Sequence, residues 1–235
     1  MTTVQSPGSL TRASPFSFAC GRCSRCCFHK GIAVNPYEVL RLARNQGLST
    51  TEFIRRHTES AGTLLRQRAD GGCVFLTAQG CGVHADRPLV CRIYPLGRHI
   101  SAEDKETFSQ IKPHPESEGR YGTEGTAGDY LESQGAGEYL KAVDLYLKLY
   151  RELAGRFLDA AEHLAPAERE MADQRIGRPP EATAPGPAWL DVDHAVGLYC
   201  RERSPAKPAD SWRLLELHLE ALSSWSNDLG GKGKP

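Results

Sequence analysis

The sequence predicts a mainly α-helical fold with a small irregular β-hairpin region organised around a cysteine-rich metal site. Three observations lead there. Seven of the eight cysteines fall between Cys20 and Cys91. Several segments carry helix-capping residues followed by apolar residues at helical spacing. The apolar runs among the later cysteines are too short to make a sheet with its own core. A chain of 235 residues can bury a sizeable core, so the metal argument rests on cysteine spacing and not on small size.

Asn35-Pro36-Tyr37-Glu38 places an N-cap residue, a proline at the first helical position and a glutamate at the third ahead of Val39, Leu40, Leu42 and Ala43. Gly47 stops that helix, and Ser49 with Glu52 starts another before Phe53 and Ile54, giving two short helices over 36–46 and 50–60. Asp70-Gly71-Gly72 is a turn, after which Cys73-Val74-Phe75-Leu76 and Gly80-Cys81-Gly82-Val83 read as short extended pieces joined by a tight loop, as does 93–100. Residues 112–129 hold glycines at 119, 122, 125 and 128 and are expected to form a long loop. Leu140, Val143, Leu147, Tyr150, Ala154, Phe157 and Ala161 mark one amphipathic helix long enough to cover a metal module. Residues 165–188 are proline-rich and read as a linker. Beyond them Asp191 caps a helix through Arg203, and Trp212, Leu215, Leu219 and Leu222 mark a last one that ends before Gly230. The expected organisation is a disordered tail over 1–15, a metal-binding domain over 16–111, the loop and covering helix over 112–164, the linker over 165–188, C-terminal helices over 189–229 and a tail over 230–235.

Lysine plus arginine equals aspartate plus glutamate, 29 of each, which removes the electrostatic footprint of a dedicated nucleic-acid binder. Residues 1–18 lack the apolar stretch of a secretory signal, and no segment reaches the roughly 20 apolar residues that span a bilayer. The expected location is therefore the cytoplasm, away from membranes and with no protein partner identified. There thiols stay reduced, and a cysteine pattern reads as metal-binding or catalytic before it reads as a disulfide framework.

Cys20, Cys23, Cys26 and Cys27 form an opening run with two residues between successive thiols and a doubled end. Such spacing lets a tight loop turn several sulfurs toward one point, in zinc knuckles and in iron–sulfur ligand runs alike. Cys73, Cys81 and Cys91 form a later triplet, each beside a turn or a glycine. Four ligands complete a tetrahedral zinc or a four-iron cluster, so seven thiols permit two ions sharing a bridging thiolate or one centre with three thiols to spare. Spacing does not choose between these, nor between zinc and iron. Arg87 and Arg92 enclose the Pro88-x-x-Cys91 turn and are candidates for balancing thiolate charge from just outside the ligand shell. Arg22 and Arg25 flank the opening run. His29, His84 and His114 are candidate imidazole ligands, with His84 foremost because it follows Cys81 closely. Cys200 is in step with Val192 and Val196 on a helix face and reads as a buried core residue.

Taken together, Cys20-x2-Cys23-x2-Cys26-Cys27, Cys73-Val74-Phe75-Leu76, Cys81 and Arg87-Pro88-x2-Cys91-Arg92-x-Tyr94-Pro95 resemble the bacterial cysteine-cluster family named for its CxxCxxCC motif, over roughly residues 16–100. The resemblance implies chelation of zinc or iron, an iron–sulfur cluster included, by Cys20, Cys23, Cys26, Cys27, Cys73, Cys81 and Cys91. Distant relatives include flagellin lysine methylases, so one alternative expectation is an iron–sulfur enzyme; another, read from Cys26 and Cys27 beside cationic Arg25, is a thiol redox sensor. Against an enzyme stands the lack of a glycine-rich nucleotide loop after a strand.

Overall fold

The computed structural model describes residues 10–162, 190–203 and 206–230, without the side chains of Ala61, 156–162 and 226–230. In chain order its elements are β1 (Pro15–Ala19), α1 (Pro36–Asn45), α2 (Thr50–His57), β2 (Thr58–Glu59), β3 (Leu64–Leu65), β4 (Leu76–Thr77), β5 (Gly80–Cys81), α3 (Leu89–Arg92), β6 (Leu96–Ile100), β7 (Glu106–Gln110), β8 (Arg120–Thr126), α4 (Ala127–Ser133), α5 (Gly137–Glu162), α6 (Val192–Arg203) and α7 (Ser211–Gly230). Among the described residues seven α-helices stand beside short antiparallel strand pairs, so the architecture is mixed α/β where a mainly α fold was expected. The chain divides into two compact units, Met1–Val34 with Leu64–Leu140, and Asn35–Thr63 with Lys141–Pro235.

The first unit holds all seven clustered cysteines. Its strands pair β1 with β8, β4 with β5 and β6 with β7, all antiparallel. The β1–β8 pair corrects the long loop expected over 112–129. Phe18 lies opposite Tyr121 and Ser17 opposite Gly122. The glycines serve this pairing by leaving room: a Cβ on Gly119 would stand 2.3 Å from the Phe18 ring, and one on Gly122 would stand 2.6 Å from Ser17 Oγ. Thr126 then ends the strand and starts α4 through a capping box with Asp129. Within the span expected as an N-terminal tail, Leu10 is buried and its amide and carbonyl both bond to Phe108. Phe16, Phe75, Val83, Ile93, Leu96 and Phe108 are among the buried side chains of this unit.

The second unit contains α1, α2, α6 and α7. Asn35 and Glu38 form the full capping box on α1, with Pro36 at the first helical position, and Gly47 adopts the left-handed conformation after that helix (φ 65°). Ser49 caps α2, which ends at His57, three residues short of the expected end. Asp191 caps α6 by accepting the His194 amide at 3.0 Å, and also accepts the Thr50 and Thr51 hydroxyls at 2.6 Å each. Thr50 and Asp193 exchange a second pair of bonds, so the N-termini of α2 and α6 cap one another. Leu40, Val192, Val196 and Leu214 make a buried cluster; Cys200 packs against it as the helix register predicted, but is half-buried where a buried core residue was expected. The long helix exists as α5, and Leu140 is buried as predicted; beyond it the buried residues are Ala142, Tyr146 and Leu149, each one step before the predicted Val143, Leu147 and Tyr150, which are half-buried. From Lys141 onward it belongs to the second unit. The linker expected over 165–188 and the tail expected over 230–235 lie outside the described residues, apart from the backbone of Gly230. No helix among the described residues is long and apolar enough to cross a membrane.

Candidate metal centre

The opening run leaves β1 at Ala19 and folds back through a single 3-10 turn, Arg25–Cys27. Arg22 and Ser24 adopt left-handed backbone (φ 55° and 60°), which reverses the chain between successive thiols. The Arg22 amide donates to Cys20 Sγ at 3.4 Å, and the Cys27 amide donates to Ser24 O at 2.9 Å. Cys26 Sγ and Cys27 Sγ lie 4.0 Å apart.

The later triplet is joined to this loop by main-chain bonds. The Cys73 amide donates to Cys27 O at 2.9 Å, Phe28 bridges Gly72, and the His29 amide donates to Gly71 O at 2.8 Å. The Asp70-Gly71-Gly72 turn makes this clip. Asp70 accepts the Gly72 amide at 2.9 Å, and Gly71 takes a positive φ of 79°. Cys81 lies opposite Leu76 in the β4–β5 hairpin, with Gly80 (φ 102°) at its bend. Cys91 sits in α3 directly after the Arg87-Pro88 pair.

The thiols interact electrically. The Cys26 thiol is lowered to about 6, chiefly by its hydrogen bond with Cys27 and helped by Lys30 against the opposing effect of burial. Cys27 is driven far upward by Cys26, then by burial, and by the charges of Cys81 and Cys91. Burial raises Cys73, with Cys81 adding to it. Thus members of the opening run and of the triplet act on one another. All eight cysteines are free. Cys20 is exposed and the other six clustered thiols are half-buried. Among the described residues no group of three or more histidine, cysteine, aspartate or glutamate side chains is arranged to hold a metal ion.

Arg92 is 7% exposed; its guanidinium donates to Gln134 O at 2.9 Å and to Ala85 O at 2.7 Å, and lies 4.2 Å from the Tyr139 ring centre. Arg87 donates to His84 O at 2.7 Å and to Gln134 Oε1 at 3.0 Å. Burial and Arg92 lower Arg87, while Cys81 and Cys91 oppose them. Arg22 is exposed, and Arg25 pairs with Glu116 at 2.9 Å on the surface. Burial, then Arg87, Arg22 and Arg92, lower His84 and favour its neutral ring, the form that can ligate a metal. His114 Nδ1 accepts the Glu116 amide at 3.1 Å, and His29 is exposed with its ring over Gly71.

Sequence reasoning assigned no role to Lys30, Tyr94, Phe18 or Tyr130. Lys30 Nζ stands 4.7 Å from the Tyr94 ring centre while favouring the Cys26 thiolate. Tyr94 is raised by burial and then by Cys26, Cys23 and Cys20. Tyr130 is raised by burial first and Cys20 next, and its hydroxyl donates to Tyr94 O at 2.5 Å. Phe18 meets Tyr94 and Tyr130 edge-on, at 6.0 and 6.5 Å. Tyr94 was visible in the Arg-x-Tyr-Pro motif; nothing local marks Phe18 or Tyr130.

No curated protein and no solved structure matches the chain. Residues 19–114, which contain all seven clustered cysteines, match the family model CxxCxxCC, described as "Putative zinc- or iron-chelating domain".

Proposed function

We propose that this protein is a metal-binding module in which Cys20, Cys23, Cys26, Cys27, Cys73, Cys81 and Cys91 supply thiolate ligands to zinc or iron. The observation that carries this reading is the clip from Cys73 N–H to Cys27 O, which joins the triplet to the opening run. The match over residues 19–114 supports the same metals. The donor set fits them: seven free thiols, a Cys26–Cys27 pair whose first proton leaves readily, and Lys30, Arg87 and Arg92 to offset the negative charge that clustered thiolates keep after metal binding. The 4.0 Å between Cys26 and Cys27 sulfurs compares with the roughly 3.8 Å edge of a tetrahedron built on zinc–sulfur bonds of about 2.3 Å. Zinc would supply structural cross-linking, and iron would add redox capacity.

The chain's own residues prepare the site. The left-handed turns at Arg22 and Ser24 present sulfurs in succession, the Asp70 turn fixes Cys73, and the β4–β5 bend fixes Cys81. Metal content of protein purified without oxygen tests the reading through two substitutions. Cys23→Ser is expected to abolish metal retention and loosen the first unit, while Cys200→Ser leaves metal content unchanged. Full retention by Cys23→Ser, or loss by Cys200→Ser, overturns the assignment.

A further inference from the structure

Two arginines beside the cysteines converge on one residue outside the cluster. Arg92 and Arg87 reach the main-chain and side-chain oxygens of Gln134 respectively, while holding Ala85 O and His84 O with their remaining donors. Gln134 closes α4, Gly135 follows in left-handed backbone (φ 61°), and α5 begins at Gly137. The segment 84–92, which carries Cys91, is therefore tied at two points to the α4–α5 junction. The tie is stiff: the Arg92 guanidinium is planar, buried and set against Tyr139, near the start of α5, so 84–92 cannot shift without moving Gln134 or leaving a buried cation unsatisfied. One bond is still missing, since Arg92 Nε is buried with no acceptor among the described residues.

We infer that Arg87 and Arg92 are positioning residues that couple metal binding at the cysteines to the order of the α4–α5 junction through Gln134. The inference rests on the metal-binding reading above. By reciprocity, whatever the metal contributes to holding the junction, the junction contributes to holding the metal.

Hydrogen exchange by mass spectrometry on the full chain, with and without zinc, tests it, with zinc counted in the same samples. In the wild type, zinc is expected to slow exchange over residues 130–140 about tenfold, alongside the cysteine segments. At saturating zinc, Gln134→Ala, which cuts the Arg87 tie but leaves the Arg92 bond to the main-chain oxygen, is expected to keep the wild-type zinc count and the slowing at the cysteines but to lose part of the slowing at 130–140; Arg92→Lys, which cuts the other tie, should likewise lose part of it, and the double variant all of it. Both variants should release zinc to a chelator at about tenfold lower competitor concentration. Lysine keeps the charge of Arg92 but cannot span two carbonyls, so a loss in Arg92→Lys assigns the effect to the fork. Gln134→Ala guards against an arginine variant that does not fold. Zinc bound to the wild type with no slowing at 130–140, or equal slowing in both variants, overturns the coupling alone. No zinc or iron bound to the wild type overturns the metal-binding reading, and the coupling with it.

Discussion

His218 makes the stability of the second unit depend on pH in a way that can be computed before measurement. The imidazole is fully buried, its Nδ1 lies 2.8 Å from the Tyr146 hydroxyl, and its Nε2 has no partner among the described residues. Burial alone lowers it from 6.5 to about 3. Because the folded value lies below the unfolded one, the unfolded chain takes up the proton first. The contribution of the neutral ring is thus complete above pH 6.5 and is lost progressively as pH falls toward 3. At 1.36 kcal/mol per unit, lowering the pH to about 4.5 removes about 3 kcal/mol. Carboxylates lose stability in part of the same range: Arg12 and Arg98 hold Glu106 below its ordinary value, and Lys207 does so for Asp193, in each case against burial. The comparison that isolates the ring is therefore wild type against His218→Asn. All three tryptophans lie at positions 189–225, so tryptophan fluorescence during urea unfolding reports this unit. The variant is expected to be less stable at pH 7.5, with the gap shrinking by about 3 kcal/mol by pH 4.5. A gap that stays constant across that range refutes the reasoning.

Thr50→Val removes the donor to the buried Asp191 carboxylate and the acceptor for the Asp193 amide; urea unfolding followed by tryptophan fluorescence should show a loss of about 2 kcal/mol. Gly71→Ala forces a left-handed residue (φ 79°) to carry a Cβ that would stand 2.2 Å from the His29 ring. Since His29 is exposed and can swing aside, the backbone penalty dominates: about 1 kcal/mol in thermal unfolding, with faster metal loss to a chelator because the clip loosens. Removing metal from the wild type should lower its stability by about 2.7 kcal/mol relative to free metal at a hundred times Kd, read as a fall in Tm. Cys200→Ser should not alter that fall, because the residue belongs to the cluster of Leu40, Val192, Val196 and Leu214.

Local signals in the sequence were reliable where local chemistry decides structure. Asn35, Pro36 and Glu38 mark a helix start because the cap, the proline and the reciprocal bond all lie within four residues. Asp70-Gly71-Gly72 marks a turn because the Asp70 carboxylate reaches an amide two residues on. The β1–β8 pair was illegible for the opposite reason. Its strands lie about a hundred residues apart in sequence, one in a segment rich in serine and proline and the other holding Gly122 and Gly125, and it takes the opposing ring of Phe18 at 119, and the side chains of Glu124 and Ser17 at 122, to explain why glycine belongs there. At the candidate site, the cysteines and Arg87 and Arg92 were visible by type and spacing. Their shared contact, Gln134, sits 42 residues from Arg92, and no local pattern could have found it. The long helix was recognised by its period and Leu140 is buried as expected, but beyond it the buried row was missed by one step, because Ala142, Tyr146 and Leu149 repeat at much the same spacing as the neighbouring row.

The proposed module requires the opening run and the triplet to hold metal together. Its most direct test is to map, by mass spectrometry, which thiols a chelator exposes to alkylation in protein purified without oxygen, with zinc and iron counted in the same sample. Stoichiometric metal, with newly reactive thiols drawn both from Cys20, Cys23, Cys26 and Cys27 and from Cys73, Cys81 and Cys91, is the expected result. A metal-free protein, or one in which the chelator exposes thiols from one group only, would contradict it.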